Sequence, residues 1–316
     1  MNNTEQAFEY RIRRLSADNI ADAEWLHAVV YGVKPRHGFF AAKYDTAFTG
    51  VKHVGFMAYH RNGMPIAFYA VIPCFIGINE ARVLVGQSAD TMTHPFYRFK
   101  GLFVDLAART FELCRSLGIR LVFGFPNQNS LQGFINKLGW QTTERMDCFR
   151  IQVALKPLSK VLGKMSLFKT AAEARRKNVL KKIALKQLGI ANSVVDDGFG
   201  GIFRNNGFLN YKTYSKTYVI RIENSMVWLK INKVLLIGDI LMREGEFGIT
   251  MDGLKKLASR LGLNELQFHA SPGTTLHRLF LTVCQPIPSF PVIFKDLGAD
   301  LPTAQIKFTS ADIDTF

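Results

Sequence analysis

Cysteine is scarce in this chain of 316 residues: Cys74, Cys114, Cys148 and Cys284 stand far apart and form no Cys-x-x-Cys pair. That spacing offers neither a disulfide framework nor a zinc site, so no metal is expected, and a reducing, cytoplasmic setting fits. Long apolar runs are missing too. The longest uncharged run, Asn62 to Asn79, is broken by Pro65 and Pro73 and reads as paired strands rather than as a transmembrane segment. The first ten residues contain acids and no apolar segment, which argues against a signal peptide. Acidic residues number only 25 against 40 Lys and Arg, a net charge of +15. An excess of that size asks for an anionic partner. With 48% hydrophobic and 21% charged residues, the chain is globular and long enough for one large or two ordinary domains.

The positive charge is concentrated. From Lys156 to Lys186 there are ten Lys and Arg and one acid, Glu173. Residues 171–188 have an amphipathic helical pattern. Aromatic residues for base stacking are not interleaved in it, and no Trp or Phe marks an apolar membrane face. The reading is therefore a basic connecting helix, with only weak, non-specific binding of polyanions and no specific nucleic-acid partner.

The rest of the chain is organised around Asp90 to Gly118. Residues 81–90 read as a strand that Pro95 stops, after which Leu102, Phe103, Leu106, Leu113 and Leu117 recur at helical spacing. A strand, a basic turn and a helix come in close succession. The first N–H groups of such a helix have no intrahelical partner and carry the positive end of its dipole, a favourable place for a phosphate. Arg98 and Lys100 add side-chain charge there, and Gly101 removes the Cβ that would hold a pyrophosphate off the backbone.

The spacing Arg98-x-x-Gly101-x-Phe103 resembles the acyl-CoA pyrophosphate loop of the GNAT N-acetyltransferases, Gln/Arg-x-x-Gly-x-Gly/Ala, departing from it at Phe103. The next segment is similar to the same family: a buried strand at 119–125, the turn Pro126-Asn127-Gln-Asn129-Ser130, a short helix, and Leu138-Gly139-Trp140. The resemblance covers roughly residues 43–150. It implies an α/β (α+β) fold with a mixed, mostly antiparallel sheet flanked by helices. Two parallel strands splay in it to admit the pantetheine arm of acetyl-CoA. It further implies a cofactor set of Met92, Thr93, Arg98, Phe99, Lys100, Gly101, Leu102, Phe103, Asn127 and Ser130.

In chain order, a strand at Phe8–Leu15 and a helix from Ser16 to about Val30 come first. Residues 31–52 are loop-rich, with Lys34, Arg36, His37, Lys43 and Tyr44 bordering the acceptor cleft if the resemblance holds. Antiparallel strands at Val54–His60, Ile66–Ile78 and Ala81–Ala89 come next, the first two joined by the Arg61-Asn62-Gly63 turn. Strands near 142–154 close the first unit. The second half repeats the plan weakly, with strands at Tyr218–Ile222, Met226–Ile231, Val234–Ile240, Glu265–Ala270, 290–297 and 304–309 and helices at Thr250–Leu261 and Thr274–Val283. We divide the chain into a GNAT domain at 1–155, a basic linker at 156–205, and a degenerate GNAT-like domain at 206–316 that completes the acceptor cleft. The second loop carries Glu244 and Glu246, which repel a pyrophosphate, so one cofactor site per chain is expected.

N-acetyl transfer needs a base for the acceptor amine and an acid for the departing thiolate. Asp90, at the end of the central strand, is the candidate base, with His94 as a second. A third is the carboxylate of Phe316, because some tandem GNAT-like enzymes bring the chain end into the cleft. The family's usual acid, a Tyr on the helix after the Asn turn, is replaced by Ile135, and Tyr97 is a poor substitute. Tyr211, Tyr214, His269 and His277 are the polar groups that the second unit offers. The function expected is acetyl transfer from acetyl-CoA to a primary amine, an amino sugar by resemblance to enzymes of sugar and polysaccharide metabolism. A FemAB-like transferase using aminoacyl-tRNA and a non-catalytic acyl-CoA-binding protein are the alternatives. Oligomeric state is left open.

Overall fold

The computed structural model describes residues 9–155 and 169–316, so Phe8 and the basic stretch 156–168 lie outside the described residues. Contacts divide the chain into two compact units: residues 1–75, 83–142 and 293–301 form unit 1, and residues 76–82, 143–292 and 302–316 form unit 2.

In chain order the elements to the end of the first half are β1 (Tyr10–Arg14), α1 (Ile20–Tyr31), α2 (Phe39–Tyr44), β2 (Val54–His60), β3 (Pro65–Ile78), β4 (Ala81–Thr93), α3 (Leu102–Ser116), β5 (Leu121–Gly124), α4 (Gln128–Leu138) and β6 (Gln141–Gln152). Then come α5 (Lys169–Ile183), α6 (Ser193–Asp196), β7 (Gly201–Ile202), α7 (Asn206–Tyr211), β8 (Tyr218–Ile222), β9 (Ser225–Ile231), β10 (Leu235–Leu241), α8 (Phe247–Leu261), β11 (Glu265–Ala270), α9 (Thr275–Leu281) and β12 (Ile287–Asp296).

Unit 1 orders its strands β1-β2-β3-β4-β5 and adds the end of β12 beside β5. Pairing is antiparallel from β1 to β2 and from β2 to β3, and parallel from β4 to β5. The last strand is contributed from far along the chain: Ile293 faces Gly124 and Asp296 faces Leu121, antiparallel. Beneath the sheet, Leu102, Leu106, Phe111 and Cys114 of α3 and Phe134 and Leu138 of α4 pack with Tyr69, Val122 and Ile293 in one apolar core. With Ala107 between Leu106 and Phe111, their recurrence at helical spacing is why those segments are helices.

Unit 2 runs β8-β9-β10-β11-β6, antiparallel except for the parallel pair β10 and β11. Its closing strand comes from the first half of the chain, with Asp147 opposite Ala270 and Gln152 opposite Glu265. The element order β8-β9-β10-α8-β11-α9-β12 matches β2-β3-β4-α3-β5-α4-β6; the first run gives nearly all of its final strand to unit 2, and the second gives the end of its own, from Ile293, to unit 1. The sequence boundary at 155 misses this, because strand pairing across long separations leaves no local signal. The expected linker is also incorporated: Val179 and Leu180 of α5 are buried in the core of unit 2 with Leu229, Leu257 and Leu266. Residues 304–309 are not a strand. They form a 3₁₀ turn at Thr303–Gln305 and two isolated bridges, Gly200 to Ile306 and Ala270 to Thr309.

Candidate active site

The site in unit 1 starts where β4 leaves β5. Their parallel ladder pairs Gly86 with Val122 and Gln87 with Phe123, while β4 runs on to Thr93. Three residues past the ladder, Asp90 takes φ +42°, a left-handed conformation costly for a residue with a Cβ and rarely kept in a strand without purpose. Its Oδ2 accepts from Lys43 Nζ at 2.5 Å and from Tyr44 Oη at 2.8 Å. Lys43 is 2% exposed and Asp90 17%, so a buried ammonium is neutralised by a carboxylate that keeps some contact with solvent. Both bonds fall on Oδ2, which leaves Oδ1 to receive a proton. The sequence placed Lys43 and Tyr44 near the cleft but not on Asp90. The signal was a lysine inside the apolar run Phe39-Phe-Ala-Ala-Lys-Tyr44.

Beyond Asp90 the chain buries Met92 and then His94. The His94 ring accepts from Phe96 N–H through Nδ1 at 3.3 Å and stands among Trp25, Phe96 and Tyr97 at ring separations of 6.3, 5.6 and 5.4 Å. This histidine shapes the turn. The loop then surfaces: Arg98, Phe99 and Lys100 are exposed, Phe99 with φ +64°, and Gly101 with φ +77° is the N-cap of α3. Only glycine adopts that φ at little cost. A Cβ built on Gly101 would meet no atom within 4 Å, so the loop is open on the side where an anion would approach the backbone.

Phe103, the residue that departs from the loop pattern, turns into the core. Its ring lies 5.1 Å from Phe134 and 6.2 Å from Tyr69, both edge-on, and it also packs against Gly133. Leu102 is buried in the same core. Neither narrows the loop, so these two support the site rather than touch a ligand with their side chains. At the second turn, Asn127 caps α4 by accepting from Asn129 N–H at 3.0 Å and Ser130 N–H at 3.1 Å. Ser130 is held to the same asparagine. Ile135 packs against the core of unit 1 and offers no hydroxyl. The Tyr69 hydroxyl, bonded to Ser88 Oγ at 3.0 Å, is pushed well above its ordinary pKa by burial, the Ser88 bond opposing, and keeps its proton.

The polar groups offered by the second half all have partners within unit 2. His277 Nε2 lies 2.9 Å from Asp147 Oδ2, and Tyr214 donates to the Asp314 carbonyl at 2.6 Å. The Tyr211 ring lies 5.2 Å from that of Tyr214, tilted against it. The Phe316 ring is buried against Trp228 and over Gly238, where an added Cβ would come within 2.1 Å of it. His269 Nδ1 lies 2.8 Å from Ser289 Oγ, and burial lowers its pKa from 6.5 to about 4.

For His269 the linkage is direct. The unfolded imidazole takes up a proton below about pH 6.5, whereas the folded one resists until about 4. Stability is thus complete above 6.5 and falls with pH between the two, by about 3 kcal/mol at most from this residue. Denaturant titrations from pH 7 to 4 should show that loss reduced in a His269→Gln variant; equal loss in both proteins would remove His269 as its cause.

Among the described residues, no group of three or more His, Cys, Asp or Glu is placed to hold a metal ion, and no helix is long and apolar enough to cross a membrane.

Residues 11–143 match the family model of the acetyltransferase (GNAT) domain. Among solved structures, a GCN5-related N-acetyltransferase from Kribbella flavida aligns with a TM-score of 0.56 at 14% identity, over 92% of this chain and 73% of that one. A GCN5-related N-acetyltransferase from Anabaena variabilis ATCC 29413 aligns at 0.52 and 12% over the same shares. A protein of unknown function from Enterococcus faecalis V583, described as a probable N-acyltransferase, aligns at 0.55 and 11%, again over 92% and 73%. No curated protein matches the chain significantly. At these identities the structural likeness shows the fold, and the family model assigns the segment that carries Asp90 and the Arg98–Phe103 loop. Residues 11–143 are therefore similar to a GNAT acetyltransferase domain, in a chain with the fold of the N-acetyltransferases it aligns with.

Proposed function

We propose that the protein is an acyl-CoA-dependent N-acyltransferase that moves acetyl from acetyl-CoA to a primary amine, with an amino sugar as the first acceptor to try. The observation that carries this reading is the exposed Arg98–Gly101 turn, open at Gly101, leading into a 15-residue helix beside the end of the β4–β5 ladder. Arg98 and Lys100 supply charge for the pyrophosphate, and the N–H groups at the start of α3 supply directed donors. The acceptor nitrogen attacks the thioester carbonyl: a C–N bond forms, the C–S bond breaks, and the nitrogen loses a proton to Asp90 Oδ1. Solvent protonates the thiolate, since no side chain is assigned as its acid.

One cofactor per chain is expected because of the groups that occupy unit 2. The β10–β11 ladder ends at Ile237 opposite Phe268, and β10 bulges before Asp239, a position comparable to the departure of β4. There the Phe316 ring covers Gly238, and Asp239 is bonded to Arg204 and Ser193. At the start of α8, Glu246 accepts from Asn224, Ser225 and the Arg243 N–H. Bonding to Asn224 is the main reason its pKa is lowered. The space is filled and the helix end already has its anion.

Calorimetry with acetyl-CoA should give a site that the Arg98→Ala, Lys100→Ala variant lacks, and glucosamine should release CoA thiol in its presence. Absence of such a site, or stabilisation by aminoacyl-tRNA without any by acetyl-CoA, would reject the reading. An Asp90→Asn variant should lose at least about 10²-fold in turnover while still binding acetyl-CoA. Because it leaves the Lys43 ammonium beside a neutral amide, circular dichroism must confirm the fold. A folded variant with unchanged turnover removes Asp90 from the chemistry.

A further inference from the structure

A second concave site lies wholly within unit 2, and nothing in acyl transfer uses it. Helix α5 and the strands β8 and β9 border an open groove of ≈ 650 Å³, within the range of small-molecule sites. Arg176, Lys177, Lys216 and Lys230 line it against a single acid, Glu173. Two of the four cations are held in place by neutral oxygens. Arg176 Nε donates to the Leu261 carbonyl at 2.8 Å, and Lys230 Nζ donates to Ser215 Oγ at 2.8 Å and the Thr315 carbonyl at 2.6 Å. Those bonds fix where the two groups stand, and with the exposed Lys177 and Lys216 they leave the groove rich in positive charge, which favours an anion. The floor is different in kind. Leu180, Tyr218 and Ile231 give it an apolar surface, and Lys216 Nζ stands 5.7 Å from the centre of the Tyr218 ring.

We infer that this groove binds a phosphorylated small molecule with a flat apolar portion, the chemistry of a nucleotide, its phosphates against Lys177 and Lys216 and its body on Tyr218. Tyr218 is the one aromatic residue in the lining, which suits a single nucleotide; a polymer track would repeat such faces along the surface. The basic helix read from sequence as a wet connector thereby becomes one wall of a site. The inference stands independently of the acyl-transfer reading.

The test uses full-length protein carrying Arg98→Ala and Lys100→Ala, so that the loop of unit 1 does not contribute, with ADP as probe in calorimetry. One ADP should bind per chain and inorganic pyrophosphate should compete with it. Adding Lys177→Ala and Lys216→Ala should weaken ADP at least about tenfold without moving the thermal midpoint, since both lysines are exposed. Absence of ADP binding in the loop variant, or binding indifferent to the two lysines, would overturn the proposal. So would a 20-nucleotide RNA binding the loop variant at least tenfold more tightly than ADP, which would make the groove part of a polymer track.

Discussion

Replacing Arg204 by Met should destabilise unit 2 by about 3–5 kcal/mol, a large part of the stability of an ordinary domain. The guanidinium is fully buried, as are both of its carboxylate partners. Nη1 donates to Asp239 Oδ2 at 2.6 Å and to the Ala191 carbonyl at 3.1 Å. Nη2 donates to Asp312 Oδ1 at 2.7 Å and to Thr309 Oγ1 at 3.1 Å. Ser193 completes the shell of Asp239, and Thr309 N–H that of Asp312. Methionine fills similar volume but strands two carboxylates without solvent or counter-charge. They must then bind protons in the folded state that they do not bind when unfolded. The variant should therefore recover stability as pH falls, opposite in sign to the contribution of His269. A shift in the urea midpoint at pH 7 checks the size, and the same titration at pH 5 checks the cause. Lysine should not rescue, because one ammonium cannot present the fork that reaches both acids. If Arg204→Met unfolds at the wild-type midpoint, the cluster contributes nothing.

The Arg98→Ala, Lys100→Ala double variant should lose about 3–6 kcal/mol of acetyl-CoA binding, since each charge-assisted contact to phosphate contributes about 1.5–3. That corresponds to roughly 10²–10⁴-fold in Kd, with the upper end requiring that the two contacts act independently. Both residues are exposed, so the fold should be untouched, and the loss should shrink at high salt. Calorimetry at two ionic strengths measures it. An unchanged Kd would place the cofactor elsewhere.

How far the fold could be read from the sequence depended on range. Elements with strong local patterns were legible almost to the residue: Val54–His60, Tyr218–Ile222 and Glu265–Ala270 are strands as read, and Asn127 and Thr274 cap the helices expected after them. The failures have physical causes. Residues 304–309 alternate polar and apolar like a strand, but Ile306 and Phe308 are buried by turns that a Thr309–Asp312 capping box holds. Helix α2 is six residues long, too short for periodicity to register. The candidate site was half legible. Arg98, Lys100 and Gly101 announced themselves by charge and by glycine, and Asp90 by its place on the strand. Its two partners could not be foreseen, because Lys43 and Tyr44 meet it only through tertiary packing. Nor could the sequence decide which way Phe103 points.

The exchange of closing strands has a consequence during synthesis. The side of β5 that Ile293 covers stays unpaired until the ribosome has made the rest of the chain, because Ile293 faces Gly124. At ordinary elongation rates that interval lasts roughly 10–30 s. For that time a nascent chain presents an apolar strand edge and, at β6, a strand whose partner β11 has not yet emerged. Such edges recruit other strands, so a nascent chain of this topology has reason to need a holding chaperone. Refolding from denaturant should be slow for the same reason, since the pairings that complete each unit lie at long sequence separation.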